Sequence, residues 1–218
     1  MRLRWLLVRD QAGAELERWL TPAELAEGGR YRHPGRRRQW LLGRVAAKRL
    51  AGESLGGPAA VRVRRGPQGA PWLADPDGRP QPLALSLAHA DGLALAVTAP
   101  GAATRLGADL ERVEPRGAAF LEDHYTPEER RWLDGLAPAE RPLAACVAWA
   151  VKEAVLKALG VGLGAPADSV SVGPCALAPS GEFQPVPVRL AGEDAVHAAW
   201  RLAPGGEFVL ALARLAPA

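Results

Sequence analysis

Cysteine is scarce in this sequence, with only Cys146 and Cys175 among 218 residues. Two cysteines cannot form the disulfide framework of a small secreted domain, and they lack the paired spacing of a zinc site. Long apolar runs are also missing. The opening run, residues 5–8, is shorter than the roughly 7 to 15 residues of a signal-peptide core. No stretch approaches the roughly 20 apolar residues of a membrane-spanning helix. We therefore expect a cytoplasmic protein that is not attached to a membrane.

An extreme composition is absent as well. Apolar residues make up 48% of the chain and charged residues 23%, which is typical of a soluble globular protein and excludes a disordered one. The chain is long enough to bury a core as one large domain or as two small ones.

The net charge of +3 is small, but basic residues cluster between residues 36 and 65. The members of this cluster are Arg36, Arg37, Arg38, Arg44, Lys48, Arg49, Arg62, Arg64 and Arg65. Such a cluster indicates an anionic partner, which is a nucleic acid, a phosphorylated small molecule or an acidic protein. The alternative is a solvated helix face without a ligand.

The pattern of apolar residues predicts an α+β protein. Long helices are predicted over residues 36–50 and 142–159. The proline and glycine in residues 100–103 predict a connector between an N-terminal half, residues 1–101, and a C-terminal half, residues 102–218. Each half runs from a strand through helices to further strands, although no repeat of individual residues is evident.

Two carboxylates stand close together in a predicted strand over residues 105–113. Because side chains alternate along a strand, Asp109 and Glu111 are expected on one face. Neighbouring carboxylates repel each other unless a cation neutralises them, and hard oxygen ligands suit Mg²⁺. Taken alone, this pattern is more often a polar strand face paired with arginines.

A second group lies in the helix predicted over residues 142–159. Trp149, Glu153 and Lys157 share one helix face, where an ordinary surface ion pair is the simpler interpretation. His89 ends a predicted strand and could donate to a phosphate, but a single histidine is weak evidence. Cys146 is expected to pack on the apolar side of the helix rather than act as a nucleophile.

Together these motifs resemble those of the Sfp-type 4′-phosphopantetheinyl transferases in order and approximate spacing. Residues 107–111, GADLE, resemble the family's G-[IV]-D-[IV]-E, and residues 149–157, WAVKEAVLK, resemble [FW]-x-x-K-E-[AS]-x-x-K. Residues 86–89, SLAH, are similar to N-x-S-H, residues 69–71, GAP, to G-K-P, and residues 41–44 to a basic helix near the start of the family's domain. The resemblance runs from residue 21 to residue 164.

This resemblance implies an α+β fold of two structurally similar halves, with coenzyme A and the active site in the cleft between them. It implies transfer of the 4′-phosphopantetheine arm of coenzyme A to a serine hydroxyl of an apo acyl or peptidyl carrier protein, with release of adenosine 3′,5′-bisphosphate. The metal, Mg²⁺ or Mn²⁺, would be held by Asp109, Glu111 and Glu153. A monomer with no nucleic-acid partner is expected.

The resemblance also implies roles for individual side chains around the coenzyme. Lys157 and Lys152 would offset charge on the pyrophosphate, and Glu153 would accept the serine proton as the catalytic base. The implied coenzyme contacts are Asp109, Lys157, His89, Ala88, Arg44, Arg38, Gly69, Ala70 and Pro71.

Several positions depart from the family pattern. Ala70 stands where lysine is usual, and Ser86 and Ala88 replace asparagine and serine. Glu24 and Glu27 stand where basic coenzyme contacts are frequent. These departures keep open a non-catalytic relative that binds coenzyme A or the carrier. A metal-dependent nuclease or phosphodiesterase, with the arginines on a nucleic-acid backbone, is the other alternative.

Overall fold

The computed structural model describes residues 3–11, 15–161, 165–178, 180–193 and 195–216, so that residue 164, where the resemblance ends, lies outside them. The chain divides into two compact units, Met1–Thr104 and Arg105–Ala218, which are called unit 1 and unit 2 below. Both units combine helices with antiparallel sheets, which confirms the α+β class. No helix in the described ranges has the length and apolar character needed to cross a membrane. The cleft between the halves stays a prediction.

Unit 1 is built from helices α1 and α2 and strands β1 to β5. Their bounds are β1 Arg4–Arg9, α1 Pro22–Gly28, α2 Pro34–Gly52, β2 Arg62–Arg65, β3 Pro71–Ala74, β4 Leu83–Ala90 and β5 Leu93–Pro100. Strands β1, β5 and β4 form one sheet in that order, and β2 pairs with β3 in a separate hairpin. The long helix α2 packs against β5, so that its apolar side and the sheet form the core of this unit.

Local sequence explains where the helices of unit 1 begin. Thr21 caps α1 in a capping box with Glu24, and Pro22 occupies the first turn. His33 caps α2 by accepting a hydrogen bond from the backbone N–H of Arg36. The predicted helix over residues 36–50 is therefore confirmed, with slightly wider bounds.

Unit 2 is built from helices α3 to α5 and strands β6 to β11. Their bounds are β6 Leu106–Arg112, α3 Ala118–His124, α4 Pro127–Asp134, α5 Arg141–Leu159, β7 Val170–Val172, β8 Gln184–Val186, β9 Val188–Leu190, β10 Val196–Leu202 and β11 Phe208–Leu215. The main sheet has the order β6-β11-β10-β8, and β7 pairs with β9. Helix α5 packs against β6 and β11 and ends at Gly160, whose φ of 75° suits glycine.

Cys146 lies in the core of unit 2, where burial raises the pKa of its thiol to about 12. A thiol in this environment is not ionised near neutral pH, which agrees with the predicted packing role.

The two units share one strand order. The sheet of unit 1 has the order β1-β5-β4, and the sheet of unit 2 begins β6-β11-β10. In both sheets the first strand of the unit lies at the edge, next to the last strand of the unit, and the next-to-last strand comes third. The long helix follows the first strand in the sequence in both cases, as α2 and α5. A common topology thus exists, although the sequence showed no repeat of individual residues.

The sequence pattern does not predict the hairpin of β2 and β3, because residues 66–82 are rich in the glycine, proline and aspartate that favour turns. Its strands are short, and Val63 is the one residue of β2 that is fully buried. A single buried side chain gives too little alternation to identify a strand. The pairing aligns Arg65 with Pro71, which matters for the cavity described below.

Candidate functional site

Strand β6 presents Gly107, Asp109 and Glu111 on the face that contacts α5. At Gly107 the two backbones approach so closely that a β-carbon would lie 1.7 Å from the carbonyl oxygen of Ala154. Only glycine allows this approach, since any larger residue would push α5 away from the strand. The glycine of the GADLE segment therefore determines how near the two acids lie to the helix.

Asp109 is only 6% exposed. Its Oδ1 accepts a hydrogen bond of 2.6 Å from Lys157 Nζ, which also donates to the carbonyl of Ala108 at 3.1 Å. Its Oδ2 is buried and has no hydrogen-bond partner within the described part of the chain. A buried carboxylate oxygen without a donor is costly, so a cation beside Oδ2 would be stabilising.

Both oxygens of Glu111 already have donors. Oε1 accepts from Trp149 Nε1 at 3.1 Å, and Oε2 accepts from Arg116 Nη2 at 2.8 Å. Burial raises the pKa of Glu111, and the negative charge of Asp109 raises it further. The side chain is therefore well oriented but stands in a negative field.

Glu153 lies on α5 and is half-buried. Burial raises its pKa, and the charges of Asp109 and then Glu111 add to that effect. The three acids are thus close enough to repel one another, and their oxygens suit Mg²⁺. Among the residues that the structure describes, however, no three His, Cys, Asp or Glu side chains are arranged as a ready metal site. A metal would require these side chains to adjust.

Lys152 precedes Glu153 in the sequence but lies in the core of unit 2. Its Nζ is 2.8 Å from Glu129 Oε2, with both side chains 0% exposed, and it donates to the carbonyls of Ala167 and Val170 at 3.1 and 2.7 Å. All three ammonium protons therefore have acceptors within the protein. This enclosed environment is not compatible with the predicted contact between Lys152 and the pyrophosphate.

An equivalent buried pair occurs in unit 1. Lys48 Nζ lies 2.7 Å from Glu24 Oε2, and their side chains are 1% and 6% exposed. In both units the glutamate is the third residue of a helix that begins with proline and is capped by the preceding threonine, Thr21 before α1 and Thr126 before α4. Glu24, a departure from the family pattern, thus has a structural role.

A cavity of about 320 Å³ lies in unit 1 and collects basic and aromatic side chains. Four predicted coenzyme contacts line it, namely Arg44, Gly69, Pro71 and His89. Arg36 of the predicted basic cluster lines it too, and the lining residues that the sequence did not single out for the coenzyme are Tyr31, Gln39, Trp40, Gly43, Arg65 and Leu87. The pairing of β2 with β3 places Arg65 beside residues 69–71, so a predicted hairpin at this position would have indicated Arg65 as a coenzyme contact.

Arg44 gives this cavity a buried positive charge, since it is only 2% exposed. One of its terminal nitrogens donates to Glu27 at 3.2 Å, and its guanidinium lies 4.7 Å from the Trp40 ring centre. Burial lowers the pKa of Arg44, with an opposing effect of Glu27 and a further lowering by Arg65. Arg44 Nε and Trp40 Nε1 are buried without acceptors in the described residues. Two N–H donors without acceptors, next to the positive charges of Arg44 and Arg65, suit an anionic ligand.

Three of the coenzyme contacts predicted in unit 1, namely Arg38, Ala88 and Ala70, do not line this cavity. Arg38 donates twice to Asp10, at 2.6 and 2.5 Å. Ala88 is buried and, by the alternation of β4, faces away from the side that His89 occupies. Ala70 is exposed.

Comparison with known proteins gives a match to the 4′-phosphopantetheinyl transferase superfamily over residues 105–213. A phosphopantetheinyl transferase of Thraustochytrium sp. is 30% identical over an alignment of 169 residues, which covers 71% of this chain and 57% of that protein. A protein of Synechocystis sp. that bears a 4′-phosphopantetheinyl transferase name is 30% identical over 149 residues, 66% of this chain and 58% of its own. The chain thus spans less than two thirds of either relative.

A solved structure with some similarity is a holo-(acyl-carrier-protein) synthase from Bacillus anthracis in complex with CoA (3′,5′-ADP). It has a TM-score of 0.41 and 23% identity, over 50% of this chain and 93% of that one. These values are too low to bear on the assignment, which rests on the superfamily match to half of the chain. On that match, this chain belongs to the 4′-phosphopantetheinyl transferase superfamily.

Proposed function

We propose that this protein transfers the 4′-phosphopantetheine arm of coenzyme A to a serine hydroxyl of an apo acyl or peptidyl carrier protein. The observation that carries the proposal is the buried, unpartnered Oδ2 of Asp109, next to the mutually repelling Glu111 and Glu153. These acids lie in the segment that matches the superfamily. A site with excess negative charge and an unpartnered oxygen is suited to a cation that binds diphosphate.

The cavity of unit 1 supports the coenzyme assignment. Its buried Arg44, together with Arg65 and His89, offers charge and hydrogen-bond donors to the phosphates of the nucleotide. Aromatic Trp40 and Tyr31 offer apolar surface for the base. Arg65 is available for the phosphate contact that Ala70 cannot make.

Mg²⁺, or Mn²⁺ in its place, would be held by Asp109 Oδ2, Glu111 and Glu153 and would neutralise and polarise the pyrophosphate. Glu153 accepts the proton of the serine hydroxyl, directly or through a water. The serine oxygen bonds to the phosphorus that carries pantetheine, while the bond from that phosphorus to the oxygen of adenosine 3′,5′-bisphosphate breaks. Lys157 stabilises the charge that develops on the departing phosphate.

The environment of Lys157 suits this role. Its side chain is 34% exposed, unlike that of the enclosed Lys152, so its ammonium has access to a substrate. Its hydrogen bond to Asp109 keeps the ammonium oriented beside the acids. We further propose that the protein acts as a cytoplasmic monomer and binds no nucleic acid.

The test incubates the protein with coenzyme A, Mg²⁺ and several apo carrier proteins, and follows the phosphopantetheine mass increment on each carrier. We expect the increment with the wild type and its loss in Asp109→Asn and Glu153→Gln, because each removes one charge from the acidic set. Asp134→Asn, an exposed acid on α4, is the matched control and should retain transfer.

Other results would identify the alternatives. Stabilisation by coenzyme A without any increment on any carrier would indicate a non-catalytic binder. Salt-sensitive binding to generic DNA, with indifference to coenzyme A, would indicate a nuclease. Either result would contradict the proposed transfer.

A further inference from the structure

Arg116 occupies one oxygen of Glu111, which is proposed above as a metal ligand. Its Nη2 donates to Glu111 Oε2 at 2.8 Å, and its Nη1 donates to Glu114 Oε1 at 3.1 Å. The guanidinium carbon lies 5.2 Å from the centre of the Phe120 ring, and the side chain is only 14% exposed. A well-held positive charge therefore neutralises the carboxylate that a metal ion would have to reach.

The charge balance of the acidic set makes this contact important. Asp109, Glu111 and Glu153 contribute −3, and the two cations bonded to them, Lys157 and Arg116, contribute +2, which leaves −1. A divalent cation is attracted only weakly by a net charge of −1, and binding to Glu111 means displacing a hydrogen-bonded guanidinium. The diphosphate of a substrate would supply the negative charge that is lacking.

We propose that Arg116 is a positioning residue that competes with the metal for Glu111 and holds this carboxylate in place until metal and diphosphate arrive together. This inference rests on the proposed function, because it takes Glu111 as a metal ligand. Two features support it. Trp149 holds the other oxygen of Glu111, so the carboxylate stays oriented when Arg116 leaves. Glu114 is 53% exposed and offers Arg116 an acceptor that does not involve the metal.

A purely supporting role for Arg116 predicts the opposite effect. If the guanidinium only oriented Glu111 for the metal, its removal would free the carboxylate to rotate and would weaken metal binding. If it competes, its removal makes the site more negative and strengthens metal binding. The direction of the change in metal affinity therefore distinguishes the two roles.

The test measures Mn²⁺ binding to the full chain, without coenzyme or carrier, from the electron paramagnetic resonance signal of the free ion. We expect Arg116→Gln and Arg116→Met to bind Mn²⁺ about tenfold more tightly than the wild type, because each removes one positive charge near the acids. Arg116→Met also keeps an apolar stem against Phe120. Arg116→Lys, which keeps the charge, should resemble the wild type.

Arg131→Gln is the matched control, since this arginine of unit 2 is 73% exposed and pairs with Glu128 at the surface. It should leave Mn²⁺ affinity unchanged. Circular dichroism verifies the fold of each variant. Unchanged, weaker or still unmeasurable Mn²⁺ binding in both neutral variants would overturn the inference. So would failure of both to fold, because Arg116 would then be needed for the structure itself.

The result of the Mn²⁺ binding measurement and the result of the transfer assay can be interpreted independently. Tighter Mn²⁺ binding in the neutral variants of a protein that transfers nothing would contradict only the proposed function. Normal transfer by the wild type, with Mn²⁺ affinity that does not depend on Arg116, would contradict only the role of this arginine.

Discussion

A substitution at Lys152 tests whether this residue has the phosphate-binding role that the motif implies or the structural role that its buried position indicates. The motif places it next to Glu153 as a phosphate contact, whereas the structure encloses it with Glu129. Replacing Lys152 with methionine keeps an unbranched apolar stem and removes the ammonium. We expect Lys152→Met to be less stable than the wild type but to transfer phosphopantetheine normally at temperatures at which it is folded.

The expected loss of stability in Lys152→Met follows from the contacts that Lys152 and Glu129 make. Removing one partner of a buried ion pair costs about 3 to 5 kcal/mol, since the remaining charge loses its compensation. Glu129 would keep two backbone donors, Thr126 N and Val172 N, both at 2.7 Å, which moderates the loss. The carbonyls of Ala167 and Val170 would lose their donor, which adds to it. For a chain of this length the change corresponds to a fall in Tm of roughly 6 to 20 °C.

The assay pairs thermal denaturation, followed by circular dichroism, with transfer measured well below the transition. Lys157→Met is the contrasting variant on the same helix, because its side chain is 34% exposed and reaches Asp109. It should lose transfer even where it is folded, and it should also lose stability, because Asp109 would keep no hydrogen-bond donor within the described part of the chain. Lys48→Met is the control for the buried pair of unit 1 and should lose stability in the same way. A Lys152→Met protein with the wild-type Tm and no transfer would refute this reasoning.

Two further predictions concern the approach of α5 to β6 and the cavity of unit 1. Gly107→Ala should destabilise the protein by at least about 1 to 3 kcal/mol and impair transfer, because its β-carbon would meet the Ala154 carbonyl. Gly181→Ala, with no atom near its β-carbon, is the control in thermal denaturation, and equal stability of both variants would contradict the packing argument. Arg65→Gln should weaken coenzyme A binding by roughly tenfold in calorimetry, because one charged donor leaves the cavity. Arg64→Gln, on the same strand but outside the lining, should not, and equal losses would argue against a specific phosphate contact.

The parts of the site that were predictable depend on short-range patterns. Alternation along β6 was enough to place Asp109 and Glu111 on one face, and helical spacing was enough to put Trp149, Glu153 and Lys157 on one face of α5. Only the family resemblance brought these two faces together. Both placements agree with the hydrogen bonds that join these residues. Local periodicity also predicted α5 almost to its bounds.

The parts that were not predictable depend on contacts between distant segments. The enclosure of Lys152 depends on Glu129 and on the carbonyls of Ala167 and Val170, which no local pattern associates with it. The hydrogen bond from Arg38 to Asp10 also joins distant segments, so no local pattern predicts it. One signal was nevertheless present, because the pattern threonine, proline, any residue, glutamate occurs both at residues 21–24 and at residues 126–129, and a lysine follows later in the sequence each time.

The two buried lysine–glutamate pairs give equivalent positions at which the charges of the two units can be compared. Lys48 and Lys152 are equivalent in burial and in partner, so the residues that follow them can be compared directly. The residue after Lys152 is Glu153, beside the other acids, whereas the residue after Lys48 is Arg49, whose guanidinium lies 5.6 Å from the Trp19 ring centre. A metal would be repelled by Arg49 and attracted by Glu153. The buried pair keeps the same helix–cap arrangement in both units, and the change of charge beside it is a reason to propose metal binding in unit 2 and not in unit 1.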